Sequence, residues 1–522
     1  MKSTILALLL ALWANTAHAQ EKHPTPAERQ ETAAVAPAGI EITDLTTLSP
    51  EARYQLKLAA RFVRAKQCAA AKDILGWGKI LFPKKFNKPF CDELHGYFVS
   101  IRHDELTATE APRDHSKTTI KCFLIPIFQA LEEPGTFTHY LNVQANEEKA
   151  NAINISIRYE IEENEILRML YGDQRGSFKW TDGQFALKNG VCFTAAGAGQ
   201  SIRGKNYLQR RPDYIIVDDL YDFKDIHNPD STKAKTDWFW SDLYPARSET
   251  SRSCVHLQGT AINEVDILAT TAGRAGVTHR TFSAVDWKAK KSLWPELRSF
   301  EGWEALRGVM PVITFEREYE NKRADSAASF VKRAWLTAWE YDPATLKYAQ
   351  DFQISAEMVL IDPSIGKNNE NDPAAYIHMV KTIRAGESIP EYWIENAFAD
   401  RLTLQGRRDK AKEFTNDRPS GRRISAVRVE AISGFDDFGE LIKSDVQAPV
   451  ELIKKVMDKL AHLETKSYAF QNHRVHLNKN IDPATKEQIV YQLTTNHPTN
   501  DDLRDAILHG IDSPPADWST WL

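Results

Sequence analysis

The run 213-DYIIVDDL-220 is apolar or aromatic at four successive positions before it turns acidic. Alternate side chains of a strand point to opposite faces, so this segment has no polar face to offer to water. It belongs in the middle of a sheet covered on both sides, the environment of parallel strands joined by crossover helices. The flanking sequence keeps that rhythm: THYLNVQA (138–145), a charged helical stretch EEKANAINISIRYEIEENEILRMLY (147–171), GVCFTAA (190–196) and SCVHLQGTA (253–261). Strands alternating with longer helical patterns predict an α/β fold with a mostly parallel sheet over residues 48–325.

A second set of strand-like runs begins at EMVLIDPS (357–364) and continues through AAYIHMVKTI (374–383), EYWIENAFAD (391–400) and ISAVRVEA (424–431). Between the two sets, 321–350 is polar and reads as a helical connector. A chain of 522 residues, 42% apolar and 26% charged, accommodates two such domains and is too polar for a membrane bundle. The expected layout is a leader and linker over 1–47, a first domain over 48–325, a connector over 326–355 and a second α/β domain over 356–522. A net charge of −5 gives no bulk signature of a nucleic-acid binder, so DNA contact would need local basic groups. Arg407, Arg408, Arg422, Arg423, Lys454 and Lys455 are the candidates. Cys68, Cys91, Cys122, Cys192 and Cys254 form no CxxC pair, which argues against a disulfide framework or a structural zinc. The start, MKSTILALLLALWANTAHAQ, has the charge, apolar core and Ala-His-Ala end of a secretory signal.

Between the strand-like ELTATEA (105–111) and a helix-like KTTIKCFLIPIFQAL (117–131) lies 111-APRDHSKTT-119. A phosphate loop needs backbone N–H groups at a strand-to-helix turn, a Lys for the phosphates and a Ser/Thr hydroxyl for Mg²⁺. Lys117 and Thr118 stand where that chemistry requires them. The candidate nucleotide-binding set is Arg113, Asp114, His115, Ser116, Lys117, Thr118 and Thr119, although Asp114 and Ser116 occupy positions where glycine is usual. Downstream, Asp218 can hold Mg²⁺ at the end of an apolar strand and Asp219 can polarise the attacking water. Thr260 or Asn263, after the next strand, is the candidate γ-phosphate sensor. Arg203, or Arg113, is the candidate arginine finger.

The C-terminal half carries separate carboxylates: Asp362 and Glu430 near strand ends, and Asp501, Asp502 and Asp505 at the start of a helix on which Leu503, Ala506 and Ile507 recur at helical spacing. Oxygen-only ligands converging on a sheet edge select Mg²⁺ or Mn²⁺. The same acids also suit an N-cap and a DPS turn. Asp372 is either a further ligand or a turn residue.

Taken in order, APRDHSKTT, GAGQSIRGKNYLQRRPDYIIVDDL (197–220), LQGTAIN (257–263), LIDPSIG (360–366) and NDDLRDAI (500–507) resemble the large terminase subunit of tailed bacteriophages and prophages over roughly residues 90–515. The resemblance implies a P-loop NTPase domain followed by an RNase H-like nuclease domain, with ATP and Mg²⁺, or Mn²⁺ at the nuclease site. It implies translocation of double-stranded DNA into a prohead and cleavage of concatemers. The implied partners are DNA, a portal protein and a small terminase subunit, with a homo-oligomeric ring and no membrane. It assigns Arg113, Lys117 and Thr118 to the phosphate loop, Asp218 and Asp219 to the acidic strand end, and Asp362, Glu430 and Asp502 to the nuclease, with Asp501 and Asp505 secondary. A packaging motor works in the host cytoplasm, so the signal-like start is set aside in this reading. Two alternatives remain: a nuclease whose ATPase has decayed, suggested by the missing glycines, and an exported non-catalytic protein, suggested by residues 1–20.

Overall fold

The computed structural model describes residues 49–512 apart from 203, 227, 250–252, 324–328, 345–351, 364–372, 417–422, 432–436, 455–457 and 497. The signal-like segment, Arg203, Asp372, Arg422 and Lys455 lie outside the described residues. The chain divides into two compact units, one running to Phe300 with Tyr319–Asn321, the other formed by Glu301–Glu318 and Lys322 onward. The short stretch Glu301–Glu318 thus groups with the second unit, where buried Arg317 donates to buried Glu464 at 2.8 Å.

The first unit is built on an eight-stranded sheet in the order β3-β4-β5-β2-β6-β7-β1-β8. Its strands are β1 (Leu106–Glu110), β2 (His139–Gln144), β3 (Arg175–Trp180), β4 (Gln184–Leu187), β5 (Cys192–Gly197), β6 (Tyr214–Asp218), β7 (Cys254–Gly259) and β8 (Thr278–Thr281). The six strands from β5 to β8 in that order pair in parallel, and β3 and β4 add an antiparallel edge. The α/β expectation holds, and the reason is visible in β6. Tyr214 and Ile216 pack into one apolar cluster with Trp77, Phe128 and Phe193, while Ile215 and Val217 pack into another with Leu141, Leu243 and Leu257. The helical stretch after β2 is two helices, Glu147–Glu163 and Glu165–Tyr171, because Asn164 leaves helical geometry and caps the second through Leu167 N–H.

The second unit holds a seven-stranded sheet in the order β11-β17-β14-β13-β12-β15-β16. Here β11 is Glu340–Tyr341, β12 Phe352–Asp362, β13 Ala374–Arg384, β14 Pro390–Asp400, β15 Ala426–Ala431, β16 Val450–Lys454 and β17 Val475–Asn478. The strands β12, β13 and β14 pair antiparallel, and β15 and β16 continue from β12 in parallel. At the other edge β17 pairs in parallel with β14 and with β11, so the second unit is the mixed α/β domain expected. The expected helical connector differs: its described part is a 3₁₀ turn, Arg333–Leu336, and the two-residue β11. Trp339 and Leu336 are buried there, so the segment serves the core of the sheet.

Helix Asp502–Asp512 lies on β12 and β13 through Leu503, Ala506 and Ile507. Gly510 sets the approach: a Cβ there would stand 2.5 Å from Met379 Sδ and 2.7 Å from Leu360 Cδ1. Substituting Gly510→Val should destabilise the second unit by about 1–3 kcal/mol through overpacking. Guanidinium unfolding of the two proteins checks this, and an unchanged midpoint would contradict the close approach.

Candidate functional site

The phosphate-loop sequence runs from the C-terminal end of β1 into a π-helical turn, Thr119–Leu124, and helix Ile125–Glu132 with Pro126 at its start. The two positions lacking glycine are the ones with left-handed backbone, φ 65° at Asp114 and 60° at Ser116. Asp tolerates this geometry better than most residues, and Ser bears a cost on the order of 1 kcal/mol. Contacts beneath the loop hold it there. His115 is buried and its Nδ1–H donates to Arg113 O at 2.7 Å. His95 accepts from Cys91 N–H at Nδ1 (2.9 Å) and therefore donates from Nε2 to His115 O (3.2 Å). Trp294 packs edge-on against His95, with ring centroids 4.6 Å apart. Burial pushes both imidazoles down to about 4. Arg113 and Asp114 are exposed at the mouth of the loop.

The register of the sheet brings the other pieces to the same edge. The central strand β7 lies between β1 and β6, pairing Glu110 with Gly259 and Asp218 with Gln258. Thr118 Oγ1 donates to Asp218 Oδ2 at 2.7 Å, and Lys117 Nζ lies 3.3 Å from Asp219 Oδ2. Asp218 is buried and also accepts from Gln258 Nε2 (2.8 Å) and Gln144 Nε2 (3.1 Å). Its carboxyl is held above the ordinary range by burial and by the Asp219 charge, against the lowering effects of Lys117, Thr118 and Gln144. Asp219 turns into the left-handed region, φ 42°, directly after β6. Gly259 leaves room for it, since a Cβ there would stand 3.3 Å from Asp219 Oδ1.

Lys117, Thr118, Asp218 and Asp219 thus come together as the sequence reading places them. Thr260 follows β7 at this edge, and Thr119 begins the π-helical turn. Asn263 is occupied elsewhere: it donates to Thr232 and accepts from Val265 N–H, which fits a structural turn. The two residues sequence reasoning missed are Gln144 and Gln258, amides at the ends of fully buried strands, where a polar side chain needs a partner at the edge.

In the second unit, Asp362 ends β12, Glu430 stands one residue from the end of β15, and Asp505 lies in the first turn of helix Asp502–Asp512. One carboxylate oxygen from each lies within 4.8 Å of the others, and the three residues are 5%, 8% and 4% exposed. Three buried carboxylates this close repel unless a cation or protons intervene. Asp505 Oδ1 accepts no hydrogen bond among the described residues and faces Arg504 Nε at 3.6 Å, so protein cations already offset part of the triad's charge. The donor set is oxygen only and fits Mg²⁺ or Mn²⁺.

Asp502, placed ahead of Asp505 in the sequence reading, stands outside this group. It is the first residue of the helix, with its N–H donated to Asn500 Oδ1, while Asp505 and His509 share the face toward Glu430. Asp501 is also outside it, bound by Lys459 at 2.5 Å and Arg504 at 2.8 Å. Lys459 reaches Asp505 as well, at 2.7 Å. Burial disfavours its charge, yet Asp505 and Asp501 outweigh that and hold its pKa above the ordinary range. Among the basic residues expected at DNA, Arg407 is buried and Arg408 is bridged to Asp445 at 2.6 Å, so neither is a plain surface cation.

No protein-family profile matches the sequence, and no curated protein does. Several solved structures share local arrangement with it. The crystal structure of the HK97 bacteriophage large terminase is 12% identical, covers 80% of this chain and 94% of its own, and has a TM-score of 0.34. The large terminase ATPase domain of Thermus phage P74-26 is 14% identical, with 45% and 97% coverage and a TM-score of 0.30. The human cytomegalovirus terminase nuclease domain, soaked with Mn, is 11% identical, with 34% and 92% coverage and a TM-score of 0.27. Likeness at this level carries no weight alone, and the functional reading rests on the two sites.

The loop geometry has two measurable consequences. Ser116→Val should cost about 1–2 kcal/mol relative to Ser116→Gly, because a β-branched residue resists left-handed φ. Comparative denaturation of the pair would refute the φ assignment if valine were tolerated as well as glycine. The native state keeps His95 and His115 neutral down to about 4, whereas the unfolded chain protonates them below about 6.5. Unfolding therefore takes up protons in that window, and stability should fall as pH drops from about 6.5 toward about 4. Denaturation midpoints across pH should show this slope, and His115→Gln should flatten it.

Proposed function

We propose that this chain is an ATP-driven motor that packages double-stranded DNA and carries its own metal-dependent endonuclease, the activity pair of a large terminase subunit. The observation that carries the reading is the junction of the phosphate loop with the acidic strand end across β7, Thr118 on Asp218 and Lys117 beside Asp219. A loop and a strand a hundred residues apart meet with hydroxyl, ammonium and paired carboxylates on one sheet edge, the constellation phosphoryl transfer requires. The left-handed backbone at Asp114 and Ser116 supports a working loop over a decayed one.

In this reading Lys117 contacts the β- and γ-phosphates, Thr118 and Asp218 hold Mg²⁺, and Asp219 orients the attacking water. Lys117 Nζ and Asp219 Oδ2 stand 3.3 Å apart, so a phosphate bound by Lys117 would compete with that ion pair and leave Asp219 to orient water. Thr260 is the sensor candidate, and Arg113, at the mouth of the loop, is the finger candidate on the described chain. Asp362, Glu430 and Asp505 hold divalent ions at the nuclease site, which when bound supply an activated water and stabilise the leaving oxygen. DNA, a portal protein, a small terminase subunit and a ring of copies are the proposed partners, in the host cytoplasm. Among the described residues no helix is long and apolar enough to cross a membrane.

The test is a pair of separable losses. Lys117→Ala should lower DNA-stimulated ATP hydrolysis by roughly 100-fold or more while Mg²⁺- or Mn²⁺-dependent cleavage persists. Asp505→Ala should abolish cleavage and spare ATP hydrolysis, with Asp502→Ala much milder than Asp505→Ala. Cleavage that survives Asp505→Ala would sink the triad assignment, and ATP turnover that survives Lys117→Ala would sink the motor.

A further inference from the structure

A second cluster of metal-ligating side chains lies beside the carboxylate triad and has no part in the reading above. His462 belongs to helix Lys459–Gln471, and His509 and Asp512 are one turn apart on helix Asp502–Asp512. One ligand atom from each of the three lies within 4.8 Å of the others, and the two imidazole centroids are 5.3 Å apart. We propose that His462, His509 and Asp512 bind one late first-row transition ion, distinct from the ions of the carboxylate triad.

The donor set decides the class of ion. Two imidazoles and a carboxylate suit Zn²⁺, Co²⁺ or Ni²⁺, whereas an all-carboxylate centre suits Mg²⁺ or Mn²⁺. His462 Nε2 lies 2.5 Å from Asp512 Oδ2 and Lys466 pairs with Asp512 Oδ1, so an ion bound here takes the place of the proton shared by His462 and Asp512. Two helices supply the ligands, and both pack in the same core through Leu463 and Leu508, so the spacing is fixed by the fold. Three protein ligands leave coordination positions for water, the pattern of an open site.

His509 links the two centres, since its Nε2 also lies 3.8 Å from Glu430 Oε2. An ion held by His509 therefore adjoins the triad without sharing its carboxylates. The alternative is that His462, Asp512 and Lys466 form only an ion-paired link between helices and bind nothing. Metal preference separates the two, independently of any nuclease activity.

The experiment is Co²⁺ titration of the full chain in millimolar Mg²⁺, followed by visible absorption. We expect one Co²⁺ per chain that Mg²⁺ does not displace and Zn²⁺ does. His462→Gln and Asp512→Asn should each weaken it by about 10-fold or more, and Asp362→Asn should leave it unchanged. Asp512 is half-exposed, so Asp512→Asn serves if His462→Gln fails to fold, as judged by far-UV circular dichroism. Absence of a Mg²⁺-resistant Co²⁺ band, retention in both ligand variants, or loss in Asp362→Asn would each overturn the proposal.

Discussion

A carboxylate taken out of water must be given donors in return, and Asp218 is the point at which the first unit meets that demand. Its two oxygens receive Thr118 from the loop after β1, Gln144 from the end of β2 and Gln258 from the end of β7. Three separate segments are therefore registered against one side chain. If Asp218 were apolar, those amides and the hydroxyl would be left without the acceptor they now share, and the Lys117–Asp219 ion pair would remain to tie the loop to the end of β6. The geometry of the candidate site and the packing of the strand ends are, at this position, one network.

Much of this was legible because buried strands leave a strong pattern. The runs around Tyr214–Val217, Val359–Ile361 and Ala374–Ile377 are apolar on successive residues, and each is a central strand with both faces covered. Edge elements were not legible for the converse reason. β3 alternates exposed and half-buried residues, and β11 is two residues long, so neither leaves a run that a turn or a helix could not also produce. The break at Asn164 was hidden because helical periodicity continues on both sides of it.

The sites divide in the same way. Lys117, Thr118, Asp218 and Asp219 lie at element ends, where sequence alone indicates a shared edge. The choice among Asp501, Asp502 and Asp505 depends on rotation about a helix axis, which sequence spacing limits but does not settle. Gly510 and the apolar stripe fix that rotation by seating one side of the helix on Leu360 and Met379, and Asp505 is then the acid that faces Asp362 and Glu430. Gln144 and Gln258 were missed because an amide at a strand end has no motif; only the position of its partner gives it a role.

The left-handed residues of the phosphate loop have a consequence for how such proteins are found. What the loop requires is a backbone shape, and glycine is merely the commonest way to reach it. Here an aspartate, a serine and a buried imidazole scaffold reach it instead. A search that scores the letters of a glycine-rich consensus will pass over chains of this kind, whereas one that scores the torsion angles will retrieve them. In this chain the core beneath the loop, rather than glycine within it, bears the conformational strain at Asp114 and Ser116.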